Sequence, residues 1–197
     1  MKRVHAVVLS ALLALPLAAQ AQSRQSGFSY SYGEGRLVMI DPDGGDNYSG
    51  VKVGGSLQFL PQFFGIASLS LLSNDPFDLT TLEGGAGFRH PIRRGIDVLG
   101  TATIQIVEID GPGGFSDDDT GISLTGGIRA AMTPQLELGG YLNYAETFGD
   151  GDVTLTGEGL LHMTRELSLV GSVGLSDDAN TLTLGARWNF PALGSAR

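Results

Sequence analysis

The eight residues Thr183-Leu184-Gly185-Ala186-Arg187-Trp188-Asn189-Phe190 decide the fold of this chain. Apolar side chains alternate along them with polar or small ones, so an extended strand would carry two different faces. The apolar face consists of Leu184, Ala186, Trp188 and Phe190, and the other face of Thr183, Gly185, Arg187 and Asn189. This stretch therefore predicts a β-strand with one apolar face and an aromatic end.

Nine other segments show the same strand character, which makes ten in all. The ten are Phe28–Ile40, Tyr48–Leu60, Phe63–Ser73, Leu79–His90, Ile96–Ile109, Thr120–Met132, Leu136–Thr147, Val153–Met163, Leu167–Ser176 and Thr181–Phe190. Each has 10 to 14 residues. A tilted membrane-spanning strand needs about 9 to 11 residues, whereas strands of soluble proteins most often have about 5 or 6. Strand length therefore favours a membrane β-barrel.

The connections between these segments fall into two kinds that alternate along the chain. One kind is short, and its members are Leu60–Gln62, His90–Gly95, Thr133–Gln135 and Thr164–Glu166. The other kind is rich in Asp and Gly, and its members are Asp41–Asn47, Asn74–Asp78, Asp110–Asp119, Gly149–Asp152 and Asp177–Asn180. Of the 14 aspartates, 13 lie in the second kind, and Asp97 is the exception. Bacterial barrels have short periplasmic turns and longer outer loops, so this sorting places both ends of the chain in the periplasm.

Alternation within the segments supports the same fold. In the sixth segment the apolar face carries Ile122, Leu124, Ile128 and Met132, and the polar face Ser123, Thr125 and Arg129. In a membrane barrel the apolar face points outward to lipid. The first segment breaks this pattern, and a bulge near Gly33-Glu34-Gly35 would restore it. The prediction is an all-β, ten-stranded antiparallel transmembrane β-barrel with short periplasmic turns, with an eight-stranded barrel as the alternative.

The N-terminus has the pattern of a secretory signal peptide. Lys2 and Arg3 precede an apolar run of 14 residues, 6–19, and Ala19-Gln20-Ala21 is a small-x-small cleavage site. We therefore predict a signal peptide over 1–21, an outer-membrane β-barrel over 22–190 and a short tail over 191–197. The prediction implies export to the cell outer membrane.

Composition excludes several classes of protein. The chain has no cysteine, which excludes disulfides and a lipid-modified cysteine after the signal peptide. Its formal net charge is -9, and nucleic acid is an unsuitable partner because phosphate binding requires clustered Lys and Arg.

The polar faces place eight charged residues in the predicted lumen, four acids and four bases. They are Lys52, Glu83, Arg89, Asp97, Arg129, Glu137, Glu158 and Arg187. Charges in a narrow interior are tolerated when they are paired, so we predict a salt-bridged plug with a structural role. His90 and His162 fall at the periplasmic ends of their strands, and no Ser-His or Asp-His pair is predicted to converge there. The sequence predicts no catalytic residue, no cofactor and no metal site; loose binding of divalent cations at the Asp-rich loops is a secondary possibility.

Several stretches carry a resemblance to a known family: Ser29–Gly35 with the Asp-Gly loop from Asp41, the central Gly127–Glu137, and Val170–Asp178 followed by the final strand. The chain resembles small outer-membrane barrels regulated by diffusible signal factor, and more generally the OmpA/OmpX-like small barrels. The last strand is also similar to the signal by which bacterial barrels are recognised and inserted. The resemblance implies a ten-stranded barrel in the envelope and supplies no catalytic residues.

The sequence favours a non-enzymatic outer-membrane protein with a structural or surface-interaction role and acidic outer loops. An outer-membrane enzyme acting on lipid or peptide at the outer rim, and a narrow channel, are the alternatives. The expected partners are outer-membrane lipid, lipopolysaccharide and, through the C-terminal strand, the barrel-assembly machinery.

Overall fold

A computed structural model describes residues 28–190, most of which lie in ten β-strands. The strands are β1 (Tyr32–Pro42), β2 (Tyr48–Gln58), β3 (Phe63–Asn74), β4 (Phe77–Arg93), β5 (Ile96–Asp110), β6 (Ser116–Ala131), β7 (Leu136–Thr147), β8 (Asp150–His162), β9 (Leu167–Leu175) and β10 (Ala179–Asn189). A short 3-10 helix, Pro112–Gly114, lies between β5 and β6. Within the described range no helix is long and apolar enough to cross a membrane.

The strands form one closed antiparallel barrel in which each pairs with its neighbours in sequence. The barrel closes where β1 pairs with β10, from Tyr32 opposite Asn189 to Pro42 opposite Ala179. Closure leaves no unpaired sheet edge, which a bilayer requires because it offers no water to free backbone groups. The predicted fold is confirmed, with ten strands rather than eight.

Apolar side chains point outward, as the alternation predicted. Leu37 and Leu184 lie opposite each other across the seam between β1 and β10 and are 63% and 64% exposed. Leu124, Leu138 and Leu142 are likewise exposed on β6 and β7. Such a surface is unfavourable in water and suits the hydrocarbon of a bilayer.

The first strand has no bulge, so that part of the prediction is wrong. Its register with both neighbours is continuous, and Tyr32, Glu34 and Arg36 all point into the lumen. Inward aromatic rings are stable here because the lumen supplies an arginine to stack on them. An irregularity in the ladders lies instead between Pro91 and Arg93, where proline has no N–H to donate.

The segment Phe28–Ser31 was predicted to begin the first strand, but β1 begins at Tyr32. Phe28 and Tyr30 are buried against Phe64 of β3 and form an apolar cluster with it. The backbone oxygen of Ser29 accepts a hydrogen bond from Arg129 of β6, far around the barrel. This segment, which we call the N-terminal segment, therefore lies inside the periplasmic mouth and does not form part of the wall.

The outer connections are shorter than predicted. They range from two residues, 75–76, to five, 43–47. The predicted loop Asp110–Asp119 is shorter because Asp117, Asp118 and Asp119 belong to β6 and pair with β5. The strands thus extend beyond the length a bilayer requires and carry acidic residues at their outer ends. The predicted signal peptide and C-terminal tail lie outside the described residues.

Candidate functional site

Among the described residues, ten charged side chains in the lumen are ion-paired, five acidic and five basic. They include all eight that the sequence predicted, together with Glu34 and Arg36. The bulge predicted in the first strand had left open whether these two side chains point inward or outward. The predicted salt-bridged interior is confirmed. The pairs lie in three groups at different depths.

The central cluster consists of Glu34, Arg36, Glu158 and Arg187. Arg36 contacts Glu34 at 2.9 Å and Glu158 at 2.7 Å. Arg187 contacts the same two carboxylates at 2.8 Å and 3.4 Å, and its guanidinium lies 4.0 Å from the centre of the Tyr32 ring. Each carboxylate therefore contacts both arginines, and the cluster, which has no net charge, joins β1, β8 and β10.

The periplasmic belt consists of Arg89, Asp97, Arg129, Glu137 and His162. Arg89 donates to Asp97 at 2.9 Å, and Arg129 donates to Glu137 at 2.6 Å. The other Glu137 oxygen lies 2.7 Å from Nε2 of His162. Since each of these residues lies on a different strand from β4 to β8, the belt follows the wall around half of the barrel.

The structure brings His162 between Ser168 and Glu137, so the prediction that no Ser-His pair converges is wrong. Nδ1 of His162 lies 2.7 Å from the Ser168 hydroxyl. The pair was missed because it depends on the register of β8 and β9, which sets His162 opposite Ser168. His90, by contrast, is exposed on the outer face of β4.

The Ser168–His162–Glu137 arrangement has the residue types of a hydrolase triad, but a substrate cannot reach the serine. Ser168 is 0% exposed, and its hydroxyl also accepts a hydrogen bond from the Asn189 amide at 3.2 Å. A nucleophile must reach a substrate carbon at near-contact distance. The arrangement therefore connects strands β7, β8, β9 and β10 and leaves no space for a substrate at the serine.

The outer pair, Lys52 and Glu83, is looser than the other groups. Its atoms are 3.6 Å apart, and the lysine side chain is 37% exposed. Ser68 and Thr103 also donate to Glu83. Beside this pair is a cavity of about 130 Å³, the lumen cavity, whose lining includes Tyr32, Glu34, Lys52, Ile66, Ser68 and Glu83.

The acidic outer ends do not form a metal site within the described residues. No group of three or more His, Cys, Asp or Glu side chains there is arranged to hold an ion. Asp43 and Asp46 of the loop before β2, and Asp117 and Asp118 at the start of β6, are exposed to solvent. Cation binding at the rim stays a prediction.

Comparison with known proteins identifies the family. A family model described as outer membrane protein beta-barrel domain matches residues 7–190, and the chain belongs to this family. Together with the closed barrel, this membership locates the protein in the outer membrane. No curated protein matches significantly.

Several solved structures are similar in fold. The KdgM porin is 11% identical over 80% of this chain and 99% of that chain, with a TM-score of 0.47. Ail, the attachment invasion locus protein of Yersinia pestis, is 15% identical over 81% and 97%, with a TM-score of 0.42. The N-terminal beta-barrel domain of Pseudomonas aeruginosa OprF is 14% identical over 83% and 100%, with a TM-score of 0.43. At these values the likeness is one of fold alone.

Proposed function

We propose that this protein is a non-enzymatic, closed outer-membrane barrel with a structural or surface-interaction role. The observation that carries the proposal is the lumen, where ten charged side chains are ion-paired across strands. An open pore needs side chains that face water and exchange ions. Here most of these charges are nine-tenths buried and bind one another.

Packing at the periplasmic mouth supports a closed state. The N-terminal segment lies across the lumen, and Arg89 and Arg129 stack on its Tyr30 ring. Small barrels leave little interior space beyond what side chains fill. The lumen cavity that these side chains leave has a volume of about 130 Å³.

A non-enzymatic role is supported by the burial of Ser168. This residue has a histidine and a carboxylate in the order that a hydrolase uses, yet its hydroxyl is inaccessible and already bound to Asn189. The other histidine of the barrel, His90, faces outward. Neither histidine meets a carboxylate and an accessible serine at the outer rim, where an enzyme acting on external lipid or peptide would need them.

The outer rim supplies the chemistry of a surface role. Exposed aspartates lie there beside Phe115 and Phe148, which are 52% and 41% exposed. We propose that this rim binds divalent cations loosely and so joins the cation-bridged lipopolysaccharide layer. Titration with calcium or magnesium to millimolar concentration should shift the NMR signals of rim residues, and unmoved signals would remove this part of the proposal.

We also propose that β10 is the strand through which the barrel-assembly machinery recognises the chain. It has the alternation and aromatic end of such signals, and its partner β1 is the strand that closes the barrel. A photo-crosslinking amino acid placed at position 188 should crosslink to the assembly machinery during biogenesis. Equal crosslinking from an outward site on β5, such as Ile104, would contradict it.

Two measurements on purified protein test the central proposal. In planar bilayers the intact barrel should show no steady unitary conductance, and it should not react with a fluorophosphonate serine probe. Large ohmic steps would show an open porin. Covalent labelling that is lost in Ser168→Ala would show an active serine and overturn the non-enzymatic assignment.

A further inference from the structure

We propose that the N-terminal segment, Phe28–Ser31, is a gate, and that its release opens a path for ions and small polar solutes through the lumen cavity. The proposal rests on the closed state described under Proposed function and goes beyond it, because it identifies which element keeps the barrel closed. It also assigns the barrel a second, conducting state.

The segment is held mainly by side chains and not by strand pairing. Its aromatic rings receive two guanidinium groups: Arg89 lies 4.9 Å from the Tyr30 centroid, and Arg129 lies 4.9 Å from both the Phe28 and the Tyr30 centroids. Tyr30 also stacks on Phe64 at 5.0 Å. Contacts of this kind break singly, whereas a strand in the wall is held by a cooperative ladder of backbone bonds.

The hydrogen bonds that hold residues 28–30 also involve side chains and not strand pairing. The Tyr30 hydroxyl donates to Asp97 at 3.2 Å, and the Tyr30 carbonyl accepts from the Ser56 hydroxyl at 2.8 Å. The first residue to join the backbone ladder is Ser31, whose carbonyl accepts from the N–H of Phe190 at 2.9 Å. Residues 28–30 can therefore leave the lumen while every strand of the barrel stays paired.

The gate adjoins the lumen cavity directly. Ile66 lines the cavity and also packs against the cluster of Phe28, Tyr30 and Phe64. Tyr32, the residue that begins β1, lines the cavity as well. Removing the Phe28 and Tyr30 rings would therefore extend the cavity towards the periplasmic mouth on the side of β1 to β4, where the periplasmic belt carries only Arg89.

The closed state also leaves two buried polar atoms unsatisfied. Among the described residues, Oδ1 of Asp97 and Nε of Arg129 are buried without a hydrogen-bond partner. Both residues contact the N-terminal segment. Release of the segment would therefore open these two atoms to water.

The test compares the intact protein with Phe28→Gly/Tyr30→Gly in planar bilayers. The intact protein should be silent, and the double variant should show steady unitary steps at least tenfold above any current of the intact barrel. The matched control is Phe63→Gly/Phe88→Gly, because these two rings also pack together near the short-turn end at 5.2 Å but lie on the outer face. The control should stay silent.

A second step locates the path. The chain has no native cysteine, so Ser68→Cys in the open variant places one thiol on the cavity wall. A cationic methanethiosulfonate reagent should block the steps of this variant. It should not block the steps when the cysteine replaces Val53, which is exposed on the outer face of β2.

Folding is checked by faster migration of unheated samples in SDS gels. If the double variant does not fold, Tyr30→Ser replaces it, since this change removes the ring between the two arginines and keeps Phe28. Folded variants that stay silent would overturn the gate. Steps that the Ser68 reagent fails to block would overturn the path. Equal conductance in the intact protein would instead overturn the closed state proposed above.

Discussion

Arg187→Met is expected to lower the free energy of unfolding by about 3 to 5 kcal/mol, the usual cost of removing one member of a buried ion pair. Arg187 is 3% exposed and contacts Glu34 at 2.8 Å and Glu158 at 3.4 Å. Without it, both carboxylates depend on Arg36 alone, and the central cluster changes from neutral to a charge of -1. Methionine keeps much of the volume, so the loss would report on charge rather than on a cavity.

Lys52→Met is the matched control within the same lumen. The lysine makes one contact to Glu83 at 3.6 Å and is more than one-third exposed. Solvent screens such a pair, and its removal should cost at most about 1 kcal/mol. Combining Arg187→Met with Glu34→Gln should restore part of the lost stability, because the second change removes the carboxylate left without its closest base.

The assay is urea unfolding of the barrel in lipid vesicles, followed by far-UV circular dichroism and by SDS-gel mobility. Equal denaturant slopes would show that both variants unfold from the same compact state. If Arg187→Met costs less than about 1 kcal/mol, or no more than Lys52→Met, the ion pairs of the central cluster do not stabilise the barrel.

Three further predictions concern other parts of the barrel. Tyr30→Phe removes the hydroxyl that donates to the fully buried Asp97, and urea unfolding should show a loss of about 1 to 2 kcal/mol. Gly185→Ala should lower the free energy of unfolding by about 1 to 3 kcal/mol, because the added methyl group would collide with the backbone of β1. In the control Gly140→Ala the methyl group would meet open space, so thermal unfolding should change by no more than about 0.5 kcal/mol. Equal effects of the two substitutions would refute the close approach of β10 to β1 at Gly185. Leu184→Arg places a charge on the lipid face and should cost about 2 to 4 kcal/mol in vesicle refolding, and a neutral result would contradict its lipid exposure.

The wall of the barrel could be predicted from the sequence because strand facing is a local property. Alternation with period two fixes which side chains share a face, and Leu184 and Arg187 indeed lie on opposite faces of β10. The number of strands followed from counting segments. That the apolar face points outward followed from the length of the strands and from the sorting of aspartates into one kind of connection.

For the lumen, the sequence could predict that charged side chains form ion pairs, but not which residues pair. That charges would pair followed from their balance, but which charges pair depends on register and on closure. Arg36 meets Glu158 across 122 positions of sequence, and His162 meets Ser168 only because a four-residue turn, 163–166, sets them opposite each other. No local pattern in the sequence encodes these distances.

The N-terminal segment shows the limit of pattern reasoning most clearly. Ser29-Tyr30-Ser31-Tyr32 alternates as a strand does, and it leads directly into β1. The same alternation is compatible with a strand in the wall and with a segment folded across the mouth. What distinguishes the two is the presence of Arg89 and Arg129 across the lumen, which only the closed barrel brings within reach of Phe28 and Tyr30.

Trp188 offers a direct check on the claim that apolar side chains of this barrel face lipid. It is the sole tryptophan of the chain and is 55% exposed on the outer face of β10, near the periplasmic end. Its fluorescence should be strongly quenched when the barrel is refolded into vesicles of brominated phospholipid, more by bromine near the headgroup than near the bilayer centre, and only weakly by acrylamide. Efficient acrylamide quenching with no effect of brominated lipid would mean that this face meets water, and the membrane barrel described here would be wrong.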